Sequence, residues 1–272
     1  MKYTTPTGTV NNLYRSILTQ PHTLIAGSTG SGKSVIINGL IYTALFSPPG
    51  DQGGGVWLIL CDPKATELHF YKNLPHTLFY SDTIAGISGA LKMASDLMES
   101  RQRDMNSRNL RETDRGHVYV ILDEIADLIL KPKGKNVNLR QENAARDEIV
   151  YYITHIARLG RASHVHLIAA SQDPSRETLN HAICQNFTCR IALRCDRDIE
   201  SRQIIGVKGA EDLPQYGDCL LKAPSQGITH YTGVRMYTQE ELTERVRWWT
   251  DQQPPFLRRP EKRGLHFLRN MI

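Results

Sequence analysis

Eight residues, Gly27-Ser28-Thr29-Gly30-Ser31-Gly32-Lys33-Ser34, satisfy the spacing G-x-x-x-x-G-K-[ST] at every defined position. The chemistry that this spacing serves is phosphate binding. Successive backbone N–H groups of a glycine-rich loop turn toward one point, at a helix N-terminus whose dipole favours anions. Lys33 is placed to reach the β- and γ-phosphates of a nucleotide, and the Ser34 hydroxyl to help hold Mg²⁺. All eight residues, Gly27, Ser28, Thr29, Gly30, Ser31, Gly32, Lys33 and Ser34, are therefore candidate ATP ligands. The flanks agree with that reading. His22-Thr23-Leu24-Ile25-Ala26 has the pattern of a short buried strand, and an apolar helix starts at Val35-Ile36-Ile37.

A second candidate lies at Asp123-Glu124, which ends the apolar run Val118-Tyr119-Val120-Ile121-Leu122. A strand ending in an acid, laid beside the strand that feeds the phosphate loop, brings a carboxylate toward Mg²⁺. Asp123 fits that metal role together with Ser34, and Glu124 is then the general base that activates water. Ser171-Gln172 ends the next apolar strand, expected beside the Asp123 strand, where Gln172 can sense a γ-phosphate. Arg158 and Arg161 are three apart near the expected C-terminus of a helix, which places both on one face and in a position that suits cations.

These residues need a scaffold, and the remaining pattern supplies one. Strand and helix signals alternate, which predicts an α/β fold with a mainly parallel sheet and helices on both faces. Further strands are expected at Val56–Cys61, Leu78–Tyr80, Val165–Ala170, Thr188–Leu193, Cys219–Leu221 and Thr229–Tyr237. Helices are expected over Ile84–Arg108, Gln141–Ala162 and Gln239–Trp249, with a polar loop from Lys131 to Leu139. Residues 1–250 read as one domain, and 251–272 as a Pro-rich, basic tail.

Composition narrows the function classes. The 272 residues are 40% hydrophobic and 22% charged, with a net charge of +5. No apolar run approaches the ~20 residues that span a bilayer, and Met1–Pro6 lacks the apolar core of a signal peptide. A cytoplasmic protein without direct membrane insertion is expected. Five cysteines with no C-x-x-C pair suggest reduced thiols rather than a disulfide framework. His164 and His166 share a strand face, but the ten histidines form no established metal-ligand spacing. Basic clusters at Arg101, Arg103, Arg108, Arg111 and Arg115, and at Arg258, Arg259, Lys262, Arg263 and Arg269, could meet nucleic acid or serve as solvated surface.

From Pro21 to Met236 the chain resembles the motor domain of FtsK/SpoIIIE-type DNA translocases, within the FtsK–HerA group of RecA-like P-loop ATPases. The resemblance extends well past the phosphate loop. It runs through Asp62-Pro63-Lys64, Glu67-Leu68, Leu74-Pro75-His76, Asp123-Glu124-Ile125-Ala126-Asp127-Leu128 and Gly160-Arg161-Ala162. It continues through Ala170-Ser171-Gln172, Arg190-Ile191-Ala192, Ser201-Arg202, Gly209-Ala210-Glu211 and Gly217-Asp218.

What the resemblance implies is an ATP- and Mg²⁺-dependent motor that pumps double-stranded DNA. It also implies a homo-oligomeric, hexameric ring with nucleotide sites between subunits and a recruiting partner protein. By position, Arg161 is then the finger that reaches a neighbour's γ-phosphate. The chain departs from the family at Asp173 and Asp198, where basic residues usually face DNA; Arg176, Arg197 and Arg202 lie nearby. The alternatives are a type VII-like protein secretion ATPase and an NTP-binding assembly scaffold. The phosphate loop lies near the start of the chain, and no winged-helix reader follows. The expectation is a stripped-down motor of a mobile element, plasmid transfer system or phage.

Overall fold

A computed structural model describes residues 11–46, 55–134, 136–175, 185–214, 217–224 and 227–232, with 241 and 244. In chain order the elements begin with α1 (Asn11–Leu18), β1 (His22–Ala26), α2 (Lys33–Phe46) and β2 (Val56–Cys61). A single 3-10 turn (His69–Tyr71) precedes β3 (Thr77–Ser81), α3 (Ile84–Ser107), β4 (His117–Leu122) and α4 (Ile125–Ile129). Then come α5 (Val137–Leu159), β5 (Val165–Ser171), β6 (Cys189–Ala192), α6 (Asp198–Ile205), β7 (Cys219–Ala223) and β8 (Gly227–Tyr231). Of the helix expected at Gln239–Trp249 only Glu241 and Glu244 are described, both as helix; the tail and Arg176 lie outside the described residues.

Side-chain alternation along the strands builds two cores. One face of the sheet carries Leu24, Ile59, Val118, Val120, Leu122, Val165 and Leu167, packed under α3 through Ile87, Leu91 and Met98 and under α5 through Ile149, Ile153 and Ile156. The other carries Ile25, Leu58, Leu60, Ile121, Ile168 and Ala170, covered by α1 (Leu13, Tyr14, Ile17) and α2 (Ile36, Ile37, Leu40). The period of two thus feeds both faces, and each face needs its own helical layer. Emptying one such position, as in Ile153→Ala, costs roughly 2–5 kcal/mol in well-packed cores.

The strands lie in the order β3-β2-β4-β5-β1-β6-β7-β8. Neighbours from β3 to β6 are parallel, and β6-β7-β8 closes the edge as antiparallel pairs. This order corrects one expectation. The strand of Asp123 does not lie beside the strand that feeds the phosphate loop; β5 pairs with both and sits between them. The Gln172 strand does lie beside the Asp123 strand, as the sequence suggested.

Helix α5 also departs from expectation. The Asn136 side chain accepts the Asn138 N–H at 2.9 Å, capping the helix four residues earlier than Gln141. At the other end Gly160 caps it, and 161–164 form a turn. Arg161 is therefore beyond the helix and does not share a helical face with Arg158. Three further helices, α1, α4 and α6, carried no clear sequence signal: α1 is one short amphipathic stretch, α4 has five residues and α6 opens on charged residues.

Candidate active site

The parallel strands β1, β4 and β5 end at one edge of the sheet, and the chemistry collects there. After β1 the loop 27–32 curls into the start of α2. Gly30 and Gly32 adopt φ of 76° and 101°, left-handed values that strain any side chain other than glycine's. The loop is fixed from behind by Ser28 N–H donating to the Arg194 carbonyl at 2.9 Å.

Lys33 is 7% exposed. Its ammonium donates to the carbonyls of Gly27 and Ser28 at 2.7 and 2.9 Å, so its charge is held at the loop's own rim. Burial lowers its pKa to about 8, against the pull of Glu124 and Asp123. A phosphate group entering the loop would offer this amine a full negative charge in place of two neutral carbonyls.

Asp123 ends β4, half-buried, with its N–H on the Cys61 carbonyl at 2.9 Å. Burial raises its pKa to about 7, reinforced by the nearby acids Asp62, Glu67 and Glu124. Such an excess of negative charge suits a divalent cation. Among the described residues no group of three or more His, Cys, Asp or Glu is arranged to hold a metal. A hydroxyl such as that of Ser34 and one carboxylate such as that of Asp123 are donors of the kind that leave Mg²⁺ most of its waters and its phosphate ligands. The residues present fit that ion.

Glu124 takes φ 51° and ψ 71°, a left-handed conformation rare for a glutamate. The twist carries its carboxylate back toward β5, where both oxygens accept the Gln172 N–H at 3.1 Å and one accepts the Ser171 hydroxyl at 3.3 Å. Backbone strain of this kind costs about 1–3 kcal/mol and concentrates at functional positions. Burial raises the Glu124 pKa, opposed by the Gln172 amide. The Gln172 side chain in turn accepts the Thr29 hydroxyl at 2.9 Å. The loop, Glu124 and Gln172 are therefore one hydrogen-bonded unit.

The sequence reading missed two members of this unit. Lys64 lies 3.8 Å from the Glu124 carboxylate and 3.2 Å from that of Asp127. Asp62, fully buried, accepts the N–H groups of Thr66, Glu67 and Leu68 and so shapes the turn that presents Lys64. The available signal was that Asp62 ends β2 in the way Asp123 ends β4.

Arg161 is not brought to this group. It precedes β5, whereas Gln172 follows it, and seven strand residues cover about 20 Å at the usual rise. Its side chain is exposed and, among the described residues, has no ion-pair partner.

Other candidate features resolve differently. Within the first basic cluster, Arg101 is only 3% exposed and Arg108 is paired with Asp104 and Asp114, so the cluster does not form an open cationic face. Asp173 caps its own turn, accepting Ser175 N–H at 2.9 Å, and Asp198 opens α6 and pairs with Arg202 at 3.4 Å. His164 and His166 stack with His117 in one column at the opposite end of the sheet from the phosphate loop. Cys61, Cys189, Cys195 and Cys219 are buried free thiols. No described helix is long and apolar enough to cross a membrane.

Sheet order, phosphate loop and the acid at the end of β4 define a RecA-like P-loop fold. Among solved structures, the pCW3 conjugation coupling protein TcpA, a monomer form with ATPγS, superimposes with a TM-score of 0.73 at 21% identity, over 86% of this chain and 66% of that one. The cytoplasmic domain of the type VII secretion ATPase EccC of Thermomonospora curvata gives 0.64 at 22% identity, over 85% and 28%. These likenesses speak for the fold.

Residues 5–120 match the model of the FtsK/SpoIIIE family, the family that the sequence resembles. Its sequence is 34% identical to the DNA translocase FtsK of Borreliella burgdorferi over 77% of this chain and 27% of that protein. It is 33% identical to the FtsK of Staphylococcus epidermidis over 86% and 30%. The chain thus spans less than a third of the length of these relatives.

Proposed function

We propose that this chain is an ATP-driven motor domain that moves double-stranded DNA, working as a homo-oligomeric, hexamer-type ring in the cytoplasm. The observation that carries the hydrolytic part is the linked unit of phosphate loop, Glu124 and Gln172. In this reading Lys33 offsets phosphate charge, and Ser34 and Asp123 hold Mg²⁺, which supplies charge stabilisation to the phosphates when bound. Glu124, held by the Gln172 amide, accepts the proton of the attacking water. Gln172 reports the state of the loop through Thr29 to the segment that follows it.

Support for DNA as the polymer comes from the family and from relatives whose names describe DNA translocases. The protein-secretion alternative drew on Asp173 and Asp198, but each has a local task, capping a turn and opening α6. The scaffold alternative leaves the strained, hydrogen-bonded Glu124 without a purpose. A recruiting partner and the basic tail at 251–272 belong to the same proposal.

Arg161 is proposed to act in trans. Its place across the length of β5 from its own loop supports that role, because a head-to-tail ring would bring it to the next subunit's loop edge. The test of the motor is displacement of a third strand from a triplex on linear duplex DNA. ATP should drive displacement, and the Glu124→Gln chain should not; displacement that proceeds without ATP, or none with it, contradicts the proposal.

A further inference from the structure

The turn that carries Arg161 is held with unusual completeness. Six consecutive carbonyls, 159 to 164, each accept a hydrogen bond. Leu159 O takes the Gln102 side chain at 3.2 Å, Gly160 O the Val165 N–H at 3.0 Å and Arg161 O the His164 N–H at 3.2 Å. Ala162 O takes the Thr113 N–H at 2.9 Å, Ser163 O the Arg101 guanidinium at 2.7 Å and His164 O the Val118 N–H at 2.8 Å. The backbone has no slack beneath an exposed side chain. A Cβ at Gly160 would collide with the carbonyls of Ile156 and Val165, so only glycine fits where the helix end meets the turn.

Arg101 is the unusual donor. It is 3% exposed, and among the described residues its Nε and Nη2 have no hydrogen-bond partner and no carboxylate pairs with it. Burying an uncompensated guanidinium is costly, and a packed apolar side chain would often be the more stable choice. Its single bond goes to the Ser163 carbonyl, two residues from Arg161. Burial, and then the neighbouring Arg115, lower its pKa to about 10, which still leaves it charged at neutral pH.

We infer that Arg101 is a positioning residue for Arg161: its buried guanidinium anchors the 160–164 turn so that the Arg161 side chain projects in one direction toward a neighbouring subunit. This rests on the reading of Arg161 as a trans residue. An arginine finger works only within a narrow geometry, and displacement by about 1 Å can cost on the order of 10²-fold in rate. Arg101 itself touches neither nucleotide nor phosphate; it acts through the backbone.

The test compares ATP turnover by rings of wild-type, Arg101→Met, Arg161→Ala and the doubly substituted chain. Arg101→Met should lower kcat about 10- to 100-fold while KM and the ATP affinity of the isolated chain stay unchanged. Mixing with Glu124→Gln chains, which carry a properly held Arg161, should restore part of the turnover. The double variant should be no slower than Arg161→Ala alone, because the two residues act through one contact. Wild-type turnover by Arg101→Met, additive losses in the double variant, or failure of the mixture to recover would each overturn the inference. Normal turnover by Arg161→Ala would instead remove the trans reading itself. If Arg101→Met does not fold, Gln102→Leu, which frees only the Leu159 carbonyl, should show a smaller kcat loss with the same rescue; a wild-type rate and no rescue effect there overturn the proposal.

Discussion

The backbone N–H of Gln172 donates to both carboxylate oxygens of Glu124, at 3.1 Å each. A main-chain donor cannot swing away, so the end of β5 fixes the Glu124 carboxylate just past the end of β4. Any movement of residues 171–173 must also move the carboxylate, and the Thr29 hydroxyl on the Gln172 side chain joins the phosphate loop to the same motion. The phosphate loop, Glu124 and the segment after β5 are thus linked by contact.

Glu124→Gln tests the base. The amide oxygen can still accept the Gln172 N–H, so the fold and ATP binding should persist. It cannot take a proton from water, so steady-state hydrolysis should fall about 10²- to 10⁴-fold. Hydrolysis near the wild-type rate would place the base elsewhere.

Lys33→Ala tests the phosphate loop. The buried ammonium bonded to the Gly27 and Ser28 carbonyls is a cation held on the loop itself. Titration with a fluorescent ATP analogue should show binding lost in this variant. Tight binding that survives the substitution would remove the phosphate assignment.

Arg161→Ala tests assembly. The isolated chain should bind ATP normally, and the ring should hydrolyse it about 10³-fold more slowly or worse. Mixed with Glu124→Gln chains it should regain activity, since some interfaces then pair an intact Glu124 with an intact Arg161. Rings confirmed to be mixed that show no recovery would exclude the trans role and turn attention to Arg158.

Acid stability follows from the buried histidines at the other end of the sheet. Burial lowers His22, His76 and His117 to about 4, and His166 well below its ordinary value. In the unfolded chain each titrates near 6.5. Between those values the unfolded chain binds protons that the folded chain refuses, so stability falls as pH falls below about 6.5. Each histidine can contribute at most about 1.4 kcal/mol per pH unit. Asp123, raised to about 7, and Glu124, also raised, act with the opposite sign over the same range. Four histidines against two carboxyls leave a net loss. The urea midpoint should drop between pH 7 and pH 5, and a midpoint that holds or rises would contradict this account.

Much of the site was legible before any coordinates. The loop 27–34, Asp123, Glu124 and Gln172 are chemistry at strand ends, and continuous apolar runs such as Val56–Cys61 and Val165–Ser171 announce those strands directly. Sheet order is not written in local pattern, which is why β5 between β1 and β4 was missed. The end of α5 was misplaced because no residue there is a helix breaker beyond Gly160; the turn is imposed by donors from Arg101, Gln102 and Thr113, far away in sequence. Lys64 and the Thr29–Gln172 bond escaped for the same reason, being contacts between distant segments.

The central claim is that ATP hydrolysis at this site is coupled to duplex DNA. The direct measurement is the steady-state ATPase rate of the assembled protein with and without linear double-stranded DNA, beside the Glu124→Gln chain as the blank. The account predicts a rate that rises with duplex and is absent in the blank under both conditions. A wild-type rate indifferent to duplex DNA would contradict it.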